Sequence, residues 1–440
     1  MRTMFAAAAA FAGTLALGAP AQAATNFDFW YAAGQRAVEA QCNDFNASQS
    51  QYHVNCVYQD SYESLFQKAI AAYRANRQPA LVQFFDGGTL DLLLSNAVIP
   101  VTKIAADAGQ KVDWNDYISG AKSYYATRSG ELYGQPYNSS TLVFYTNDDM
   151  LKKAGITKAP ETWEEVGEAA KKLKASGVAC ALTSDLHPWR VMEEFSAAEG
   201  IPIASEHNGY DGLDAKYVFN KGLEVQLITD LADWHKQGMF TLSRETKAGD
   251  YRNAFNSQEC AMILNSTGGY TDTALALKGK AAFSVHLLPI FAGTKRYNTF
   301  VGGAALYAMK GFDAKTYKAV AAFLAFLRSP EQQMQMVINT GYLPVTKSGV
   351  KLMENGGLAN YPERKKAAEL GVESLNFPGN ADTRGIRLGF FVQFREVFRA
   401  EITKVFSGES TPQQALDAAA ARGDEMLKRF AATYAGAKMP

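Results

Sequence analysis

The sequence predicts an α/β protein of two lobes joined by three chain crossings, with a ligand cleft between the lobes. Three observations carry this. Strand and helix patterns alternate along most of the chain, as expected of sheets covered by helices. The 440 residues exceed what one hydrophobic core organises. Three separate segments, GQPYNSST, FVGGAAL and TGYLPVT, read as extended backbone of small or polar residues, which suits a chain passing between lobes.

The elements follow in order. TNFDFWY (25–31) reads as a strand, a helix covers 37–46, and YHVNCVYQD (52–60) is a second strand. SYESLFQKAIAAYRANR (61–77) carries apolar residues at helical spacing behind Ser61 as N-cap. PALVQFFDGG (79–88) is a continuous apolar strand, so a parallel sheet is expected, with ligand beyond the carboxyl ends of its strands. TLVFYTN (141–147) is a buried strand with Asn138, Ser139, Ser140 and Thr141 at its mouth. A capped amphipathic helix (162–177) and a strand (178–184) come next, then helical stretches at 189–200 and 225–238. CAMIL (260–264) is a strand running into Asn-Ser-Thr-Gly-Gly, and TFVGGAALYAMKG (299–311) is a strand with a glycine pair at its centre. Residues 316–341 are helical with a break near Ser329-Pro330, 340–349 cross in extended form, and the terminal third closes on a helix at 410–430. One lobe is expected to comprise 24–137 plus 303–342, the other 138–302 plus 343–440.

Residues 1–23 are set apart as a secretory signal peptide: Arg2, a short apolar run, then Ala21-Gln22-Ala23. Cleavage after Ala23 sends the remaining 417 residues to the periplasm. The run is too short and too rich in Ala and Gly for a membrane span. Basic and acidic residues balance at 44 each, so the chain carries no electrostatic footprint for nucleic acid or an anionic membrane. The four cysteines allow three pairings. Cys42–Cys56 with Cys180–Cys260 is the expected one, because each pair closes within one region. Their spacing fits no common zinc pattern, and neither a metal nor a cofactor is expected.

No GxSxG, HExxH, phosphate-loop or dinucleotide motif is present, so an enzyme is not expected. Several residues stand out without settling their own role. Asp86 ends an apolar strand and either caps the next helix or accepts hydrogen bonds from ligand hydroxyls, with Gly87 and Gly88 letting backbone approach the ligand. Ser139, Ser140 and Thr141, and again Ser266, Thr267 and Gly268, either cap turns or offer the donors a tetrahedral anion needs. Arg387 in GIRLG either forms a surface ion pair or recognises phosphate from an apolar, glycine-bounded setting. Tyr62, Phe85, Trp189 and Tyr342 are core aromatics or a stacking wall.

The helix TWEEVGEAAKKLKASG, the strand VGGAALYAM and the crossing NTGYLPVTK resemble those of extracytoplasmic solute-binding proteins of ABC importers. YQDSYE, AIAAYRA, GxxxxQPYNSSTxVxYxN, ECAM…STGG and GIRLG resemble the members of that class that bind sn-glycerol 3-phosphate. The resemblance spans essentially the whole mature chain. It implies the two-lobe periplasmic-binding-protein fold, closing on ligand. It implies a binding glycine within Gly302–Gly303, and that Arg387, Tyr342, a serine within Ser139–Ser140 and a serine within Ser266–Thr267 hold phosphate. Tyr62 and Asp86 would hold the glycerol hydroxyls.

Two departures accompany it. Glutamate is usual where Asp86 stands, and a second tryptophan where Leu186 precedes Trp189. Both widen the expected ligand set towards glycerophosphodiesters or another phosphorylated polyol. The expected partners are therefore that ligand and the transmembrane subunits of an ABC permease, with the receptor itself monomeric. A neutral oligosaccharide receptor is the alternative, and a secreted hydrolase a remoter one.

Overall fold

The computed structural model describes residues 23–440, so the expected leader lies outside the described residues except for Ala23. The strands are β1 Thr25–Tyr31, β2 Tyr52–Tyr58, β3 Leu81–Phe85, β4 Val98–Ile99, β5 Gly134–Ser140, β6 Leu142–Asn147, β7 Cys180–Ser184, β8 Phe240–Leu242, β9 Cys260–Ser266, β10 Phe283–His286 and β11 Gly302–Met309. They form two sheets. The first runs β2-β1-β3-β11-β4, with β5 also on β11; the second runs β10-β6-β9-β7-β8.

The first sheet is mixed, where a parallel one was expected. β1 pairs in parallel with β2 and β3, but β11 runs antiparallel to β3, β4 and β5. The reason is topological. β11 re-enters this sheet from the second one, and so arrives from the opposite end to strands delivered by local helical crossovers.

The polar run that precedes TLVFYTN is itself a strand. β5 ends at Ser140 in the first sheet and β6 begins at Leu142 in the second, so Thr141 alone separates them. The chain returns through residues 287–301. It leaves again at 340–346, where Leu343 N donates to Ser139 O at 2.7 Å and Ile118 N to Val345 O at 3.0 Å. The two-lobe architecture with three crossings is thus present.

Local signals explain the helices. Ser61 Oγ accepts from Ser64 N at 3.1 Å, and Thr162 and Glu165 form a reciprocal capping box. Ser329 caps the helix that Pro330 opens, which is why the helical stretch breaks there. β3 and β7 are buried at every position. Two disulfides form as expected: Cys42–Cys56 ties a helix to β2, and Cys180–Cys260 links paired positions of β7 and β9. No described helix is long and apolar enough to cross a membrane.

Candidate ligand-binding site

The carboxyl end of β3 builds one wall. The chain turns there through Asp86–Gly88. Asp86 is 4% exposed; its Oδ1 accepts from Gly87 N at 2.6 Å and from Arg395 Nη2 at 3.3 Å. Arg395 comes from the helix Phe391–Phe406, which packs with the closing helix Pro412–Thr433 and with Leu223–Lys236 beside β8. The pair therefore joins elements of the two sheets. Glu193 clamps the same guanidinium, with Nε to Oε1 at 2.8 Å and Nη2 to Oε2 at 2.6 Å.

Two buried carboxylates thus share one cation. Burial raises Asp86 to about 7, with Arg395 lowering and Glu193 raising it, and burial raises Glu193 as well. Packing by itself requires glycine at Gly87 and Gly88. A Cβ on Gly87 would press on Phe85, Phe391 and Arg395, and one on Gly88 on Phe66. Protein side chains already occupy that space.

The crossing strands build the floor. Within the polar run the structure separates the hydroxyls. Thr141 is committed: its Oγ1 donates to Thr299 Oγ1 at 2.5 Å, and Thr267 N donates to Thr141 O at 3.0 Å. Ser139 is fully buried and its Oγ has no partner among the described residues. Ser140 pairs with Gly302, and Ser139 with Gly303.

Gly303 has φ +113°, and a Cβ there would collide with Asn138 O; only glycine suits that ladder position. Gly302 lies against the Trp189 indole, whose Cζ2 would be 2.6 Å from a Cβ. Ser266 Oγ accepts from Gly268 N at 3.0 Å and so caps its own turn, while Thr267 Oγ1 faces Thr141 N at 3.4 Å.

Tyrosines close the space. Tyr62 stacks on Phe85 with centroids 5.5 Å apart, and its hydroxyl accepts from Asn138 Nδ2 at 2.8 Å. Tyr342 packs on Gly268; burial raises its phenol, and Asn138 and Tyr62 pull it back.

Arg387 is 3% exposed. Its Nη2 donates to Ala126 O at 2.8 Å and its Nη1 has no partner among the described residues. The surface ion pair that was one of its two readings is not formed among the described residues. An unpaired buried cation is costly, and the Tyr125 hydroxyl is also without a partner among the described residues. Burial raises Tyr125 well above the usual phenol range, and Asp86, Tyr307, Arg387 and Tyr342 all act on it electrostatically. Leu186 is buried, with φ +53°, a left-handed conformation costly for leucine, just before His187 accepts from Trp189 N at 3.1 Å.

The sequence did not single out Tyr125, Glu193 or Arg395. The doubled tyrosine in SYYATRSG was the available signal for the first. Arg395 lies in FVQFREVF, where helical spacing gives it no distinction from a solvent-facing residue. Among the described residues no cluster of His, Cys, Asp or Glu is placed to hold a metal.

The model of the family described as bacterial extracellular solute-binding protein matches residues 40–366. The chain is 38% identical over 428 residues to the sn-glycerol-3-phosphate-binding periplasmic protein UgpB of Yersinia enterocolitica, covering 96% of each. It is 36% identical over 438 residues to the protein of that name from Escherichia coli K12, covering 98% of this chain and 99% of the relative. Among solved structures, UgpB of Mycobacterium tuberculosis in complex with glycerophosphocholine superposes with a TM-score of 0.76 at 21% identity, over 92% of this chain and 99% of that one. The acarbose receptor GacH of Streptomyces glaucescens gives 0.77 at 18%, again over 92% and 99%. At those identities the superpositions speak to the fold alone.

Proposed function

The chain belongs to the bacterial extracellular solute-binding protein family, and from that premise we propose that it captures sn-glycerol 3-phosphate and glycerophosphodiesters for an ABC importer. The observation that carries this is Arg387: a guanidinium 3% exposed with a free Nη1 among the described residues, where Ser139 Oγ and the Tyr125 hydroxyl are likewise buried and unpartnered. A phosphate oxyanion satisfies such donors together. The curated relatives, named as glycerol-3-phosphate-binding, support the same ligand.

In this reading Arg387, Ser139, Tyr125 and Tyr342 take the phosphate. Tyr62 and Asp86 take the glycerol hydroxyls, Trp189 covers one face, and Leu186 leaves room for the alcohol half of a diester. Lobes 24–137 plus 303–342 and 138–302 plus 343–440 close over the ligand and present the closed form to the permease. No bond is broken. The working protein is a periplasmic monomer cleaved after Ala23.

The second reading, a neutral oligosaccharide, draws on Trp189 and the Tyr62–Phe85 stack. It leaves Arg387 Nη1 without an anion. Isothermal titration of residues 24–440 with glycerol 3-phosphate, glycerophosphocholine and maltose decides between them. Heat from either phosphate compound with maltose silent supports the first reading; heat from maltose alone supports the second. Product released in excess of protein on incubation with the diester would make it a hydrolase instead.

A further inference from the structure

Arg387 also lines a second space. A cavity of about 420 Å³ opens beside it, walled by Lys122, Arg128, Tyr210, Asp211 and Arg384, with Met439 and Pro440 at one rim. Three arginines are organised around a single tyrosine there. Arg128 donates to the Tyr210 carbonyl. The guanidiniums of Arg384 and Arg387 lie 4.6 and 5.1 Å from the Tyr210 ring centroid, and the Tyr210 hydroxyl donates to Arg384 O at 3.3 Å.

None of the four cations has an acidic side chain within 4.0 Å among the described residues. The nearby carboxylate, Asp211, instead faces His207 at 3.7 Å. In a chain whose formal charge is zero, four positive groups against Asp211 and the α-carboxylate of Pro440 still leave net positive potential in one concavity.

We propose that this cavity is an oxyanion site for a phosphate or carboxylate group. The anion is either a separate molecule or a second charged group carried on the far half of a captured diester. The diester arm rests on the function proposed above; the free-anion arm does not. Stacked arginines suit the role, because a guanidinium held flat on an aromatic ring keeps its N–H edge free for an oxyanion.

The test uses the full mature chain and the double variant Arg128→Gln/Arg384→Gln. Both side chains are exposed, and circular dichroism checks that the fold is kept. In the first arm, inorganic phosphate is titrated at low ionic strength into protein saturated with glycerol 3-phosphate. Saturable binding that weakens at least tenfold in the variant is expected. In the second arm, glycerophosphoinositol 4-phosphate is compared with glycerophosphoinositol. A preference of tenfold or more for the former, falling below twofold in the variant while glycerol 3-phosphate affinity is unchanged, assigns the site to the diester.

Either arm positive supports the proposal and identifies the source of the anion. Both arms negative, or binding that survives the double substitution, overturns it. If glycerol 3-phosphate itself fails to bind, the function proposed above falls. Phosphate titrated into the unliganded protein and its variant then still judges the cavity.

Discussion

Asp86→Asn is the substitution whose consequence is most fully determined by the structure. The side chain keeps its size and its place beside Gly87 and Arg395, but loses the ability to ionise. In the wild type, burial raises Asp86 from 3.8 to about 7, because Arg395 is already held by Glu193 and cannot fully offset the lost hydration.

The sign follows from a folded-state value above the unfolded one. The favourable contribution is complete below the usual carboxylate range, and is lost as pH rises through about 7. Between pH 5 and pH 8 the wild type should therefore lose about 3 kcal/mol relative to Asp86→Asn, two units at 1.36 kcal/mol each. Urea unfolding of both proteins across that range measures it. Taking the difference between them cancels Asp91, which is also raised by burial and is independent of Asp86. The Asp86 charge that is removed also acts on Glu193 and Glu194, and their response belongs to the measured difference. A flat difference would refute the argument. A wild type that gains stability with pH would mean that attraction to Arg395 outweighs burial.

Other perturbations separate structural from ligand-facing groups. Ser139→Ala removes an unpartnered buried hydroxyl and should leave the melting temperature unchanged while weakening glycerol 3-phosphate about tenfold by titration. Thr141→Val, which removes the bond to Thr299 Oγ1 and leaves that hydroxyl to Ser374, should instead cost about 0.5–1.5 kcal/mol of stability by urea unfolding. Gly303→Ala forces a Cβ onto Asn138 O at φ +113° and should cost about 2–4 kcal/mol in the same assay. Removing Cys180–Cys260, which spans 80 residues, should lower stability more than removing Cys42–Cys56, which spans 14. The expected losses are about 4.5 and 3 kcal/mol, and the reverse order in thermal melts would count against the loop-closure account.

Much of the architecture was legible because the relevant signals are local. Alternation and caps located the principal strands and helices, and the three extended polar segments lie where the chain passes between the sheets. What escaped was relational. The first sheet was read as parallel because β1, β2 and β3 look so in sequence, whereas the direction of β11 is set by where the chain has been. That Asp86 also meets a cation escaped, because Arg395, 309 residues on, gives no sign of reaching it. The packing of Phe66 and Phe391 on Gly88 and Gly87 likewise has no local signal. The polar run offered four equivalent groups, and only three-dimensional pairing shows that Thr141 is committed while Ser139 is free.

The most direct test of the central claim is isothermal titration of wild type and Arg387→Ala with glycerol 3-phosphate, with the fold of the variant checked by circular dichroism. Hydrogen bonds to a charged group are worth about 1.5–3 kcal/mol. The account therefore predicts that the variant binds at least about tenfold more weakly. A folded variant whose affinity falls by less than about threefold would contradict the assignment of the phosphate to Arg387.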